Sequence, residues 1–489
     1  MERKSLDRLS YQDAMFAHFD RPQFPYNVGS VGIYEGHMPF DAYIAHVERR
    51  IQRAPRYLQR MAPAPLNLEL PAWHEDPAFD IRNHVQRVEL PAAAGEEELT
   101  RFAGEFFATP LDRNKPLWEI RLVEGLSGGR SAHVAKVHHC LVDGVGGVEL
   151  LGAIMDLEPD PAPVTEPYRK QPAPLPGRLE RLVDAVFDRA LAQIDLAEGF
   201  ALALLDPRQA VADARSMAAS IAAALPHFGL AAKRTPWSTR LTSPSRASWQ
   251  SVSFAEVHEL SSALGGTVND AVLAILAGTL RKYLLLHGHE TNGLVVRVLI
   301  PVNVRGAEEE HSLGNRVSFM LAGLPLGVEA PVARFQAIHR DVAALKAGDQ
   351  AGGVEKVLRA LGRTPPQLQR LLGAQLRTPN FLADMVCTNV PGPRVPLYCM
   401  GHRMIDHYAW VPIGWRMGLG VAVMSYNEGL YFSFTADRSV LPDLDRLAGF
   451  LGESFSELRD AAGVSTVERR PASAVAGEAA PPVWVSRNG

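Results

Sequence analysis

Residues 158–177 read EPDPAPVTEPYRKQPAPLPG, seven prolines in twenty positions. Each proline fixes φ and removes a backbone donor, so this stretch can form neither a core helix nor an inner strand. It reads as a linker and divides the chain. A chain of 489 residues also exceeds one ordinary core, so two folded units are expected. The expected domains are an N-terminal lobe over 1–160, the linker with Ala/Leu-rich helices over 161–235, a C-terminal lobe over 236–465, and a loose Ala/Pro/Val/Ser-rich tail over 466–489.

Local patterns fill these units. NVGSVGIYE (27–35) and HVQRVELP (84–91) read as strands. FDAYIAHVERRIQRAPRYLQR (40–60) has helical spacing, and EEELTRFAGEFFATPL (96–111) is helical with acids in its first turn. Residues 117–142 read as two strands joined by a Gly/Ser turn, and GVELLGAIMDLEPDP (147–161) as a helix closed by proline. Past the linker, 178–205 and 208–232 are Ala/Leu-rich helical stretches. Acids and bases mix on their polar positions, where interfacial helices usually carry Lys and Arg, so packing on the core is expected over contact with a membrane. TVNDAVLAILAGTLRKYLLLHG (267–288) is a strong helix and NGLVVRVLIPVNVR (292–305) a strand. The mixture predicts α+β or a mixed-sheet α/β fold.

Composition excludes several classes. A net charge of −4 does not suit a nucleic-acid surface. Three cysteines, Cys140, Cys387 and Cys399, give no disulfide framework and suit a reducing cytosol. The N-terminus is too charged for a signal peptide, and Asp270 interrupts the segment closest to a transmembrane helix.

The chemistry concentrates in VAKVHHCLVDGVGG (134–147). Side chains alternate along a strand, so His139 shares a face with Ala135, Val137 and Leu141, and His138 the other with Val134 and Lys136. The face of His139 is the drier one. A neutral imidazole there can accept a proton, which makes His139 the candidate base. Asp143 could orient that histidine or pin the turn through an arginine, and Gly144, Gly146 and Gly147 mark a sharp bend beside it. A zinc site would need a third protein ligand, no HExxH occurs, and no metal is expected. GLSGG (125–129) fits the G-x-S-x-G elbow, but a strand rather than a helix follows, so Ser127 is expected at a hairpin tip.

HHCLVDG resembles the HHxxxDG motif of the bacterial wax ester synthase/diacylglycerol acyltransferase family. LSYQDAMFAHFD (9–20), PAWHEDPAFDIRNHVQRVELP (71–91) and TPLDRNKPLWEIRLVEGL (109–126) are similar to its other N-terminal segments. VNDAVLA, IPVNVR, LGNRVSF and TNVPGP fall in its order in the second half, so the likeness spans about residues 5–460. The resemblance implies two chloramphenicol-acetyltransferase-like mixed-sheet lobes with a tunnel between them. It implies an O-acyltransferase that moves a long acyl chain from acyl-CoA to diacylglycerol or a long-chain alcohol, directly and in a ternary complex. His139 would be the general base and His138 its support. Asp143 would pair with Arg305 to fix the turn. Asn269 and Asp270, which also suit a helix cap, would support the site. Pro116 and Trp118 would pack near the tunnel, and Asn315 belongs to the matching LGN segment. A backbone N–H at Gly144 or Val145 could face the oxyanion.

No cofactor is expected beyond acyl-CoA as co-substrate. The acceptors imply a cytoplasmic protein peripherally associated with membranes or lipid droplets. Three rival readings stand beside this one. They are a condensation-domain-like transfer from a carrier protein, a lipase or esterase using Ser127, and a lipid-binding protein without catalysis.

Overall fold

A computed structural model of the chain describes residues 6–141, 147–161, 176–206, 208–209, 211–212, 215, 235–239, 241–303, 317–348, 350–353, 383–414 and 417–466. Most of the proline-rich linker, most of the second Ala/Leu-rich stretch and nearly all of the tail lie outside them.

Two six-stranded mixed sheets dominate. The first holds β1 (Asn27–Tyr34), β4 (Val85–Ala94), β5 (Trp118–Leu126), β6 (Arg130–His138), β11 (Tyr398–Cys399) and β12 (His402–Trp410), in the order β11-β12-β1-β6-β5-β4. The short β2 (Gln59–Ala62) and β3 (Ala72–Glu75) pair apart from it. The second holds β7 (Ser245–Ser253), β8 (Val295–Asn303), β9 (Val317–Pro325), β10 (Met385–Val390), β13 (Leu419–Tyr426) and β14 (Gly429–Asp437), in the order β7-β14-β13-β10-β8-β9. β4–β5, β10–β13 and β10–β8 are the parallel pairs. Each sheet has its own large apolar core.

The two lobes are not contiguous in sequence. β11 and β12 lie within the span expected for the second lobe, yet β12 pairs with β1 in the first sheet. β12 also carries much of the contact between lobes. Tyr408 stacks on Trp249 of β7 at 4.8 Å and meets Tyr431 of β14 edge-on at 5.1 Å. A second contact joins the helix Glu96–Phe107 to β7. A Cβ at Gly104 would stand 3.1 Å from the Ala247 nitrogen, so only glycine permits that approach without a shift.

The helical segment expected over 40–60 breaks earlier. The helix is Phe40–Ile51, and Pro55 opens a short 3-10 turn that leads into β2. The helix Val268–Leu286 behaves as its all-round apolar sequence demands and runs through the second core. Among the described residues no single helix is long and apolar enough to cross a membrane.

Candidate active site

β6 brings the histidine pair into place. Every side chain from Ser131 to His138 is buried, and His139 is the first that is not. The strand ends at His138 rather than near 141, because the Leu141 N–H turns back to the His138 carbonyl at 2.9 Å. His139 therefore sits in the turn, and strand alternation alone does not set its direction.

Neighbouring backbone holds both histidines. The His138 N–H donates to the Leu117 carbonyl and the His139 N–H to the Tyr26 carbonyl, each at 2.9 Å. The Cys140 N–H donates to His138 Nδ1 at 3.1 Å. That nitrogen is thus an acceptor, and the proton of the neutral ring lies on Nε2. His138 Nε2 faces Asp20 Oδ2 at 3.6 Å, beyond hydrogen-bond range but within Coulombic reach.

Asp20 is the C-cap of the helix Tyr11–Phe19. Its carboxylate accepts from the Tyr26 N–H at 2.9 Å and from Arg113 Nη2 at 2.9 Å. Burial pushes its carboxyl up, but His138, the Tyr26 N–H and Arg113 outweigh burial and hold it at about 2. It is ionised at any working pH.

The His139 ring stacks on Phe16, with centroids 3.9 Å apart and planes at 27°, and Tyr26 lies 6.0 Å away. Nδ1 has no hydrogen-bond partner among the described residues. Burial pulls the ring down to about 4; a backbone hydrogen bond opposes this and the neighbouring His138 adds to it. At neutral pH the ring is uncharged and able to accept a proton, and it lies against an aromatic face.

The other expected site residues separate. Asp143, Gly144, Arg305 and Asn315 lie outside the described residues, as does the Asp143–Arg305 pair. Asp270 takes part in capping its helix, as expected, whereas Asn269 does not. Thr267 is the N-cap, and Asp270 is its reciprocal partner three residues on. Asp270 Oδ2 accepts from the Thr267 N–H and from His339 Nδ1, both at 2.9 Å. Asn269 Oδ1 accepts from Asn389 Nδ2 at 3.4 Å. Among the described residues no contact links Asn269 or Asp270 to the histidine pair.

Trp118 is fully buried, donates Nε1–H to the Tyr57 carbonyl at 2.7 Å and stacks on His84. It packs, and the Pro116 carbonyl accepts its N–H at 2.9 Å, so the triplet touches the histidine pair through the Leu117 carbonyl, which accepts from the His138 N–H. Ser127 stands at the tip between β5 and β6, and its Oγ accepts from Arg130 Nη2 at 3.0 Å, with no base beside it among the described residues. Among the described residues no group of three or more His, Cys, Asp or Glu could hold a metal.

The profile of the wax ester synthase/diacylglycerol acyltransferase catalytic domain matches residues 9–272, and that of the family's C-terminal domain matches residues 313–459. A Mycobacterium tuberculosis (strain ATCC 25618 / H37Rv) protein, named a probable diacylglycerol O-acyltransferase, is 30% identical over 439 residues, covering 88% of this chain and 90% of that one. This chain belongs to the wax ester synthase/diacylglycerol acyltransferase family. It is an acyltransferase. In fold it is similar to a wax ester synthase/diacylglycerol acyltransferase from Marinobacter aquaeolei VT8, with TM-score 0.63 and 24% identity over 94% of this chain and all of that one. It is also similar to the first condensation domain of the calcium-dependent antibiotic synthetase, with TM-score 0.57 and 17% identity over 94% and 97%.

Sequence reading of this acyltransferase missed Phe16, Asp20, Tyr26 and Arg113. One signal was available, since LSYQDAMFAHFD matched the family yet received no role. Its Phe16 and Asp20 reach the histidine pair only because β1 and β6 bring residues 27 and 138 side by side.

Proposed function

We propose that this acyltransferase moves a long acyl chain from acyl-CoA to the hydroxyl of diacylglycerol or a long-chain alcohol, giving triacylglycerol or wax ester. The observation that carries the chemistry is His139, neutral and clamped, at the point where a buried strand opens. His139 takes the acceptor proton as the alcohol oxygen attacks the thioester carbonyl. The tetrahedral centre then collapses, the C–S bond breaks, and the proton passes to the CoA sulfur. An alcohol is too weak an acid to ionise first, so proton transfer and attack are concerted. One base and an apolar passage suffice, with no covalent enzyme intermediate, metal or added cofactor. Acceptors of this kind reside in membranes and droplets, which supports a cytoplasmic protein that visits their surface.

The test supplies purified protein with palmitoyl-CoA and either dioleoylglycerol or hexadecanol, and follows free CoA and neutral lipid. Both products should appear together. Free CoA with free palmitate and no ester would favour a hydrolase. No turnover of acyl-CoA would favour a carrier-bound donor.

Asp20 is a positioning residue in this scheme. It holds the His138 ring and, through the Tyr26 N–H, the strand end whose carbonyl receives His139. Charged hydrogen bonds are worth about 1.5–3 kcal/mol. Asp20→Asn should therefore lower kcat about ten- to hundredfold while KM for acyl-CoA stays near its parent value. An unchanged kcat would remove Asp20 from the machinery.

A further inference from the structure

The helix Arg178–Leu205 shows two opposite sides. Arg181, Ala185 and Asp188, spaced i, i+4, i+7, face the first lobe. Ala185 is fully buried, Arg8 pairs with Asp188 at 2.8 Å, and Arg181 Nη1 donates to the Pro63 carbonyl at 3.3 Å. Leu179, Val183, Val186 and Ile194 fall on the other side and Leu191 on its flank, all large, apolar and about half exposed or more. The expectation of packing thus holds for one side only. Seven of the twelve exposed large apolar side chains among the described residues lie between 179 and 211, so the patch is concentrated rather than scattered.

A second element adds to it. The turn Pro65–Asn67 packs against this helix, and its Leu66 is 78% exposed, the most of any large apolar residue described. Leu66 and Asn67 both hold positive φ, at 54° and 52°. Left-handed backbone is unfavourable for a leucine, so this tip holds an apolar side chain out into solvent at a conformational cost.

The charges identify the occupant. The helix carries three arginines against five acidic residues, so it has no basic flank to attract an anionic surface. We propose that Leu66 and the outer apolar stripe between Leu179 and Ile194 form a shallow insertion surface for an uncharged or zwitterionic lipid interface. Attachment there comes from apolar burial and not from anionic headgroups. The choice of a lipid occupant rests on the proposed neutral-lipid acceptors, which must be drawn from such an interface.

The test uses the full chain and flotation with phosphatidylcholine vesicles, with and without dioleoylglycerol, with and without phosphatidylserine, at low and high salt. Binding should rise with dioleoylglycerol and change little with phosphatidylserine or salt. Val183→Asp and Leu66→Asp, both at exposed positions, should each weaken it about tenfold or more. Turnover of a water-soluble short-chain alcohol should stay at the parent rate in both variants.

Unchanged flotation in both variants overturns the surface. So does binding that depends on phosphatidylserine and vanishes in salt. A parent dimer that either variant converts to monomer in sedimentation makes a second copy the occupant instead. If the parent floats as expected yet turns over no alcohol, the surface stands and the acyltransfer reading falls.

Discussion

His139→Ala should lower kcat by about 10²- to 10⁴-fold, the span expected when a positioned proton-transfer group is removed. KM for acyl-CoA should change little, because in the proposed scheme the ring relays a proton and supplies none of the binding to acyl-CoA. Ser127→Ala should leave turnover at the parent value, since its Oγ accepts from Arg130 and has no base beside it among the described residues. The ring contacts Phe16 and is only half-buried, so folding should survive, which the thermal midpoint will check.

The pH profile adds a second readout. In the proposed scheme His139 works unprotonated, and burial holds its pKa at about 4. This group therefore leaves kcat/KM flat between about pH 6 and 8 and imposes a tenfold loss per unit only below about 4. Full activity in His139→Ala would remove the ring from the chemistry. An acid limb centred near the ordinary imidazole value of ~6.5 would show that the ring is solvated.

Lowering the pH from about 6.5 to 4 should unfold the protein progressively, before most carboxylates titrate. Gly32 of β1 lies between His133 of β6 and His407 of β12. Its missing side chain makes room, because a Cβ there would meet His133 Nε2 and Met404 Sδ, each at 2.9 Å. Both histidines are buried, His133 bonded to the Tyr34 hydroxyl at 2.8 Å, and His407 with neither ring nitrogen partnered among the described residues. Burial, aided by His407, holds His133 at about 3, and burial alone holds His407 at about 4.

In the unfolded chain both titrate near ~6.5, so the unfolded state binds protons first as pH falls. Their contribution is complete above ~6.5 and is lost on the way down to the folded values. At about 1.4 kcal/mol per unit, His407 removes roughly 3 kcal/mol and His133 roughly 5 kcal/mol in full, against a typical total of ~5–15 kcal/mol. Asp20, held at about 2, keeps its contribution until well below that window. Thermal midpoints across this range measure the slope. His407→Phe should flatten it by one proton, and a midpoint that stays level down to pH 4 would contradict the assignment.

The sequence was most informative where the physics is local. β1, the β5–β6 hairpin with Ser127 at its tip, and the helix Val268–Leu286 follow from alternation, turn residues and apolar periodicity. Each depends on neighbours a few residues apart. The family likeness supplied His139 as the base. Strand alternation agreed with that choice, but for a reason the turn at 139–141 removes.

What the sequence did not show required distant segments to meet. β12 pairs with β1 across some 370 positions, and no local pattern encodes which sheet accepts a strand. Asp20 looks like an ordinary helix end until Tyr26 and Arg113 converge on it. Thr267, not Asn269, caps its helix because Asp270 folds back to complete the box.

Residue order alone indicated most strand and helix types and the motif that holds the proposed base, since these follow from the pattern of side chains along one segment, whereas which segments build each lobe was not in it. Tertiary structure alone decided that the ring lies half-buried against Phe16, that an aspartate at the end of the first helix faces the neighbouring His138, and that one side of a middle helix stays apolar in solvent. Desolvation and charge pairing are properties of volumes enclosed by several segments at once, and no single segment contains them.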